Sequence, residues 1–314
     1  MFLKIVFMGT PEFAAVSLKE IINQGYDIKA VFTQPDKPKG RGYKLEASAV
    51  KKLAQELNLN VYQPATLRDS ETVSLIESLA PDVIVVIAYG RILTKQILDI
   101  PKYGCVNIHG SLLPQHRGAG PVQWSIINGE KYAGVTSMFM NEGLDTGDMI
   151  IKDKILIDPD ETSGQLMERL APVGTKVLIE TLKMIETGNV VRIPQDDNEA
   201  TLAPMLDKSL SNIDFNKSAR EIHNMIRGIN PWPVAKINYS GKVMKVYKSK
   251  VIDDDLVKGI PGQIIDDKKF VVACKKGLLE LLEIQLEGKK RMKSEDFLRG
   301  HKIKRGDIVS SIKN

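Results

Sequence analysis

The amino-terminal part of the chain alternates apolar runs with segments whose apolar residues recur at helical spacing. Runs rich in β-branched and aromatic residues predict strands, and recurrence every three to four residues predicts helices. Val83–Ala88 is continuously apolar, as expected of a strand that is covered on both faces. The predicted strands are Phe2–Phe7, Ile28–Phe32, Val83–Ala88, Gly104–His109, Val135–Met140 and Met149–Lys154. The predicted helices are Glu12–Gln24, Ser48–Leu57, Thr66–Leu79, Pro121–Ile127 and Ser163–Glu186.

This alternation predicts an α/β fold with a doubly wound, mostly parallel sheet, whose ligands bind beyond the carboxyl ends of the strands. The polar segment 189–210 lacks periodicity and predicts a linker. After a helix at Ser218–Ile229, short strand-like runs between glycines predict a small, OB-like β-barrel. Those runs are Val243–Tyr247, Gln263–Ile265, Phe270–Ala273 and Leu278–Gln285. The expected domains are 1–188 and 211–314, joined by that linker.

The composition is that of a globular protein, since 43% of the 314 residues are hydrophobic and 26% are charged. Cys105 and Cys274 lie far apart at no metal-ligand spacing, so we expect reduced thiols in a cytoplasmic protein. No apolar run approaches the length of a membrane span or a signal peptide. No long exposed apolar stripe calls for a dimer, so a monomer is expected.

Charge is unevenly distributed along the chain. From Leu206 onward there are 23 Lys and Arg against 14 Asp and Glu, a balance of +9, whereas the rest of the chain carries −4. A basic appendage on a mildly acidic domain is typical of a protein that binds a polyanion. The alternative, that a lysine-rich surface is simply solvated, stays open at this point.

Three polar residues form the candidate chemical centre. Asn107 and His109 alternate along one strand, so both side chains point to the same side of the sheet. Asp145 follows in the glycine-rich segment Gly143–Asp148 and would orient the imidazole and favour its protonated form. Such a group can stabilise an oxyanion and move a proton, which is acyl-transfer chemistry without a nucleophilic side chain. Alternatively, the histidine is structural and the aspartate is only a turn residue.

Two basic segments accompany this centre. Gln34–Lys44 holds four cations, two prolines and two glycines, which predicts a mobile surface loop on the same rim of the sheet. Lys289–Lys293 is a second basic cluster, although such a run is often just a solvated face. The first turn, Met8–Glu12, has one glycine and not the dinucleotide fingerprint, and the other histidines show no metal-ligand spacing.

The motifs together resemble the methionyl-tRNA formyltransferase family. Shared with all enzymes that transfer a formyl group from 10-formyltetrahydrofolate are Asn107–Pro114, Arg117-Gly118, Gly120–Gln123 and Gly143–Asp148. Three further segments look specific to the tRNA enzymes, namely Gln34–Leu45, Asn230–Pro233 and Leu282–Phe297. The chain departs from the family's usual residues at Gly110, Gln115, His116 and Gly120, which puts contacts with the substrates in doubt but not the chemistry.

The resemblance implies that Asn107 and His109 stabilise the oxyanion while Asp145 assists proton removal, with no metal. The amino group of methionyl-initiator tRNA would attack the formyl carbon of 10-formyltetrahydrofolate, to serve translation initiation. The implied folate contacts are Ser111, Leu112, Leu113, Pro114, Ile92 and Leu93. The implied tRNA contacts are Arg41, Lys39, Lys44, Lys289, Lys290 and Arg291.

Three alternatives remain at this point. A formyltransferase for a small amine, such as an amino sugar or a nucleotide precursor, needs neither the basic barrel nor the Arg41 loop. A hydrolase of formyltetrahydrofolate usually carries an amino-terminal regulatory domain, which we do not expect in a chain whose sheet begins at Phe2. An RNA-binding protein on an inert α/β scaffold would make the grouping of Asn107, His109 and Asp145 accidental.

Overall fold

A computed structural model describes residues 3–39 and 44–312 of the chain. These residues form two compact units. The first contains the described residues of Met1–Pro121, Ala133–Ile155 and Met167–Ala203, and the second those of Val122–Tyr132, Leu156–Leu166 and Pro204–Asn314. In this part of the chain no helix is long and apolar enough to cross a membrane.

Up to residue 187, the described part of the chain has nine strands and six helices. The strands are β1 (Lys4–Gly9), β2 (Asp27–Phe32), β3 (Lys37–Lys39), β4 (Lys44–Glu46), β5 (Val61–Tyr62), β6 (Val83–Ile87), β7 (Cys105–His109), β8 (Tyr132–Phe139) and β9 (Met149–Leu156). The helices are α1 (Glu12–Asn23), α2 (Ala49–Glu56), α3 (Ser70–Ser78), α4 (Lys95–Leu98), α5 (Pro121–Ile127) and α6 (Ser163–Thr187).

Seven of these strands form one sheet in the order β5-β2-β1-β6-β7-β8-β9. The pairs from β5 to β7 are parallel, whereas β7 and β8 are antiparallel. The chain winds outward in one direction through β2 and β5 and in the other through β6 and β7, so the order reverses between β1 and β6. The prediction of a doubly wound, mostly parallel sheet is therefore confirmed.

The interior of the sheet is apolar on both faces. Val83–Ile87 is buried at every position, as its continuous apolar sequence predicts. Helix α3 begins at Ser70, later than the predicted Thr66, because the Asp69 carboxylate accepts a hydrogen bond from the Thr72 N–H and caps the helix there.

The second unit is built on an antiparallel sheet. Its strands are β10 (Ala235–Tyr239), β11 (Lys242–Asp253), β12 (Ile264–Asp266), β13 (Val271–Ala273), β14 (Leu278–Leu286) and β15 (Met292–Lys293), and its helices include α7 (Ala219–Gly228) and α8 (Ser294–Gly300). The sheet runs in the order β10-β11-β14-β13-β12. Ser310 bridges Asn238 on β10, and Ile308 bridges Gln263 next to β12, so the segment 308–310 joins the two edges. The predicted small β-barrel is confirmed.

Two features of the barrel differ from the prediction. Strand β10 was missed, although Ala235–Tyr239 alternates apolar and polar residues. Strand β11 is a single long strand of 12 residues and not a short one, and it pairs along its length with β14 through several irregularities in register. Ser240 and Gly241 join β10 to β11 with φ values of 49° and 78°, the two positive values that a tight hairpin turn requires.

The contacts divide the chain differently from the expected domain boundaries. Residues 122–132 and 156–166 group with the second unit, and the expected linker is split, with 189–203 in the first unit and 204–210 in the second. One reason is Gly228, which lets α7 approach α5 closely, since a Cβ there would lie 2.6 Å from Ile127 Cγ1. The functional boundaries at 1–188, 189–210 and 211–314 stay a prediction.

Candidate active site

The end of β7 presents two polar side chains on one side of the sheet. Asn107 and His109 alternate with Ile108, which lies on the opposite face near Gly174 of α6. The β7 strand ends at His109, at the edge of the sheet where ligands of doubly wound folds bind. The period of two in the sequence therefore gave the correct placement of both side chains.

The Asp145 carboxylate lies against both of these side chains. Asn107 Nδ2 donates to Asp145 Oδ1 at 3.5 Å, and His109 Nδ1 lies 3.6 Å from Asp145 Oδ2. Both distances are longer than a strong hydrogen bond, as is common in sites without substrate. The His109 and Asp145 side chains are 7% and 13% exposed, so their interaction is weakly screened by water. The structure brings the three predicted residues together.

The second ring nitrogen of His109 is held by the backbone. Its Nε2 lies 2.9 Å from the His116 carbonyl oxygen, which can only accept a hydrogen bond, so Nε2 carries the hydrogen. Nδ1 then faces a carboxylate, which is also an acceptor. Both ring nitrogens of His109 therefore face acceptor groups, which fix the orientation of the ring.

The loop that carries Asp145 is fixed by its glycines and by a backbone donor. Asp145 has a φ of 52°, in the left-handed region that is uncommon for residues other than glycine. A Cβ at Gly147 would collide with the Phe139 carbonyl oxygen, so this position requires glycine. The Gly118 N–H donates to Asp145 Oδ2 at 2.8 Å, which orients the carboxylate.

The predicted folate motif Ser111–Pro114 adjoins this centre, but its apolar side chains turn into the protein. Leu113 is fully buried in a cluster with Met138 and Met149, and Leu112 packs against Gly134. Ser111 Oγ donates to the Gln115 carbonyl at 2.6 Å. Packing therefore closes off the Leu113 side chain, whereas the Leu112 side chain is half-buried, and the role of the motif in folate binding stays a prediction.

Of the two further predicted folate residues, one is exposed and one is buried. Ile92 is 79% exposed in the segment that follows β6, whereas Leu93 is 4% exposed and packs in the core of the first unit. Gly90 between them and the strand has a φ of 80°, which glycine adopts without strain. An apolar ligand at this edge can contact the Ile92 side chain but not that of Leu93.

The predicted tRNA contacts near residue 40 lie at the margin of the described structure. Lys39 ends β3 and Lys44 begins β4, and these strands form an antiparallel pair where the sequence predicted a mobile loop. Arg41 lies outside the described residues.

In the second unit, Lys289 and Lys290 are exposed in the turn between β14 and β15. Arg291 next to them is already engaged. Its guanidinium donates to both carboxylate oxygens of Glu283, at 2.6 and 2.7 Å, and lies 4.1 Å from the centre of the Tyr247 ring. These contacts orient Arg291 and compensate its charge.

Neither cysteine is placed to act as a nucleophile. Cys105 and Cys274 are buried free thiols, and burial raises the pKa of each to about 12, so the thiolate is disfavoured. Among residues 3–39 and 44–312, no cluster of three or more His, Cys, Asp and Glu side chains could hold a metal ion.

Two residues at the site were missed by sequence reasoning. Arg117 was quoted as part of a motif without a role, and Gln195 was assigned to the linker. The Gln195 side chain donates to the backbone of the Asp145 loop and accepts hydrogen bonds from Arg117. The periodicity of apolar residues carries no signal for such a polar tertiary contact.

Comparison with known proteins places this geometry in a class. Residues 3–182 match the family model described as "Formyl transferase", and residues 205–302 match "Formyl transferase, C-terminal domain". A solved N-formyltransferase from Helicobacter canadensis, in complex with folinic acid and dTDP-3-aminofucose, superposes with a TM-score of 0.66. The two share 18% identity over 93% of this chain and 100% of that one, so the likeness concerns the fold. The protein is thus a formyl transferase by fold and by family model.

Full-length relatives narrow this class. A methionyl-tRNA formyltransferase from Clostridioides difficile is 52% identical over 98% of this chain and 100% of its own length. One from Alkaliphilus oremlandii is 51% identical over 98% of this chain and 99% of its own. The chain belongs to the methionyl-tRNA formyltransferase family.

Proposed function

We propose that the protein transfers the formyl group of 10-formyltetrahydrofolate to the α-amino group of methionyl-initiator tRNA, in the cytoplasm, for translation initiation. The observation that carries this proposal is the convergence of Asn107, His109 and Asp145 at the ligand-binding edge of the sheet. Family membership over nearly the full chain supports the choice of acceptor.

Asn107 and His109 act as the donors to the oxyanion. Attack of the amino group on the formyl carbon turns the carbonyl oxygen into an oxyanion, which two preorganised N–H groups can stabilise. Asn107 Nδ2 and His109 Nδ1 both lie next to the same carboxylate, so they face one region of space. Nδ2 has a second hydrogen that is free to point at a substrate oxygen, and the long contact between Nδ1 and Asp145 allows the ring N–H to be shared between the carboxylate and the oxyanion.

Asp145 orients the His109 ring and takes part in proton transfer. Its carboxylate oxygen Oδ2 lies 3.6 Å from Nδ1. The attacking amine must lose one proton after it has added to the formyl carbon, and the leaving nitrogen of tetrahydrofolate must gain one. Asp145 accepts the first proton directly or through water and returns it to the leaving nitrogen. The bond between the formyl carbon and that nitrogen then breaks, which expels tetrahydrofolate and leaves the formyl group on the amine.

The folate would lie along the edge formed by Ser111–Pro114 and the segment after β6. Ile92 offers an exposed apolar side chain there. Leu113 and Leu93 are buried, as are Ser111 and Pro114, so their contribution would come from the backbone, while the half-buried Leu112 could also offer part of its side chain. This arrangement suits a flat ring that stacks on one side and hydrogen-bonds to main-chain groups on the other.

The tRNA would be bound through phosphate contacts that the basic residues provide. Lys289 and Lys290 are exposed and carry charge available for phosphate. Lys39, Arg41 and Lys44 are the proposed phosphate contacts from the amino-terminal part of the chain, and of these Arg41 lies outside the described residues. Arg291 contributes less directly because Glu283 already neutralises it. Residues 211–314 would thus bind tRNA and residues 1–188 would carry out the reaction, as a monomer.

A three-acceptor assay tests the proposal. Formyl transfer from 10-formyltetrahydrofolate is measured to methionyl-initiator tRNA, to free methionine and to an amino-sugar nucleotide. We expect transfer to the tRNA alone. Transfer to a small amine alone would overturn the assignment of the acceptor but keep the formyl-transfer chemistry, and hydrolysis of the donor without any acceptor would point to a hydrolase.

A further inference from the structure

The backbone of the Asp145 loop accepts two hydrogen bonds from the side chain of Gln195, which lies outside the loop. Its Nε2 donates to the carbonyl oxygens of Asp145 and Gly147, at 2.9 and 2.7 Å. A primary amide has two N–H donors, and both are used on this loop. The two carbonyls flank Thr146, so the amide spans the turn on which the carboxylate is mounted.

Gln195 is itself held by a buried arginine. Its Oε1 accepts from Arg117 Nε and Nη2, at 3.0 and 2.9 Å, and Arg117 is 7% exposed. Arg117 also pairs with Asp197 at 2.8 Å. With the arginine on its oxygen, the amide cannot flip, so its nitrogen must face the loop.

The arginine and the catalytic carboxylate are linked a second time through the backbone. Gly118, the next residue after Arg117, donates its N–H to Asp145 Oδ2 at 2.8 Å. The side chain of Arg117 therefore fixes the loop backbone through Gln195, while the N–H of Gly118 fixes the Asp145 carboxylate. Asp145, whose backbone is in the left-handed region, is restrained at both its main chain and its side chain.

We infer that Gln195 is a positioning residue for formyl transfer, which holds the Asp145 loop so that the carboxylate faces His109 and Asn107. The inference rests on the proposed role of Asp145. A displacement of about 1 Å at a reacting group can lower turnover roughly 10²-fold, so a residue outside the reacting set can have a large effect on kcat.

Two variants of Gln195 remove the donors while they keep the length of the side chain. Gln195→Glu retains an acceptor for Arg117 but sets a carboxylate against two carbonyl oxygens, and Gln195→Met removes all polar contacts. We expect kcat to fall roughly 10²-fold in both, with little change in KM for folate or tRNA, because the polar atoms of Gln195 are engaged by Arg117 and the Asp145 loop and Gln195 is not among the proposed substrate contacts. Gln55→Glu, an exposed change of the same charge on α2, is the control and should behave as wild type.

A double-variant cycle separates positioning from a general structural role. If Gln195 acts through Asp145, adding Gln195→Met to Asp145→Asn should lower kcat little beyond the loss in Asp145→Asn alone. Losses that multiply, or a wild-type kcat in both Gln195 variants, would overturn this inference. A wild-type kcat in Asp145→Asn would instead overturn the proposed role of Asp145. Thermal unfolding of every variant identifies any that does not fold. If one Gln195 variant fails to fold, the kcat of the other one tests the inference.

Discussion

Two buried histidines, one in each unit, show how little burial alone says about function. The side chains of His109 and His223 are 7% and 4% exposed. In each ring Nε2 lies against a backbone carbonyl, at 2.9 Å from His116 in the first unit and 3.3 Å from Pro159 in the second. Sequence reasoning had no local feature that separates two such residues except the asparagine two positions before His109.

The difference lies in the group that faces Nδ1. For His109 this group is the Asp145 carboxylate, which can only accept, whereas His223 Nδ1 lies 3.0 Å from the Ser249 hydroxyl, which can donate. A neutral ring therefore satisfies every neighbour of His223, whereas both ring nitrogens of His109 face acceptors. Burial lowers the pKa of His223, and the charge of Arg227 acts in the same direction. The partners of a histidine thus decide whether it is structural or reactive.

The largest expected effect comes from removing each ring in turn. His109→Ala should lower kcat by roughly 10²–10³ or more, because it deletes one oxyanion donor, while tRNA binding is largely spared. His223→Ala should lower the stability of the second unit and leave kcat of the folded enzyme near wild type. Steady-state kinetics and urea unfolding on both variants check the contrast, which fails if His109→Ala retains wild-type turnover.

Ser249→Ala isolates the donor that keeps His223 neutral. The buried Nδ1 would lose its hydrogen bond, and an unsatisfied buried acceptor costs about 1–3 kcal/mol of unfolding free energy. Chemical denaturation measures the loss, with the exposed Ser209→Ala as a control that should change little. Equal stability of the two variants would show that the Ser249 hydroxyl does not support the ring.

Acidification should lower the unfolding free energy through His223, by less than the Ser249→Ala change does. Because the pKa of His223 is lowered in the folded state from 6.5, the unfolded chain takes up the proton first. Its contribution to stability is complete above the unfolded pKa and is lost as the pH falls below it. His223→Gln should therefore lose less unfolding free energy than wild type between about pH 7.5 and about pH 5.5. The Asp160 carboxylate, 3.4 Å from Nε2, opposes the shift but is largely exposed. An identical loss in both proteins would contradict the prediction.

The smallest expected effect concerns surface charge in the second unit. Lys289→Ala combined with Lys290→Ala should weaken tRNA binding severalfold and flatten its salt dependence by about one contact per lysine, since each phosphate contact releases a counterion. The exposed Lys258→Ala should leave the salt slope unchanged. If the double variant keeps the wild-type slope, these lysines belong to a solvated face. Neither the exposed lysines nor the paired Arg291 would then have been shown to contact tRNA.

The sequence predicted those parts of the structure that are determined by residues close together along the chain. Cys105–His109 and Pro121–Ile127 follow from periods of 2 and 3.6, and the period of 2 also places Asn107 and His109 on one side. The charge balance of +9 pointed to the polyanion partner, and the resemblance supplied the acceptor.

The parts that could not be predicted depend on contacts between distant segments. Gln195 lies in a polar stretch without period, and its role exists only because Arg117 and the Asp145 loop meet there. The local sequence does not show whether Leu113 faces a ligand or the core. Its burial depends on contacts with Met138 and Met149. For β10 a signal existed in the alternation of Ala235–Tyr239 but followed directly on a proline-rich turn.

The way the barrel closes has a consequence for folding during synthesis. Its last bridges are made by 308–310, and the unit they complete also contains 122–132 and 156–166, which leave the ribosome much earlier. Contacts between segments so far apart in sequence form slowly and only after the later segment has been made. Trp124 and Ile127 pack against a core made by residues between 206 and 309, so they cannot be buried there until that later segment has been made. We expect the nascent protein to depend on chaperones at this stage more than a protein whose units are continuous in sequence.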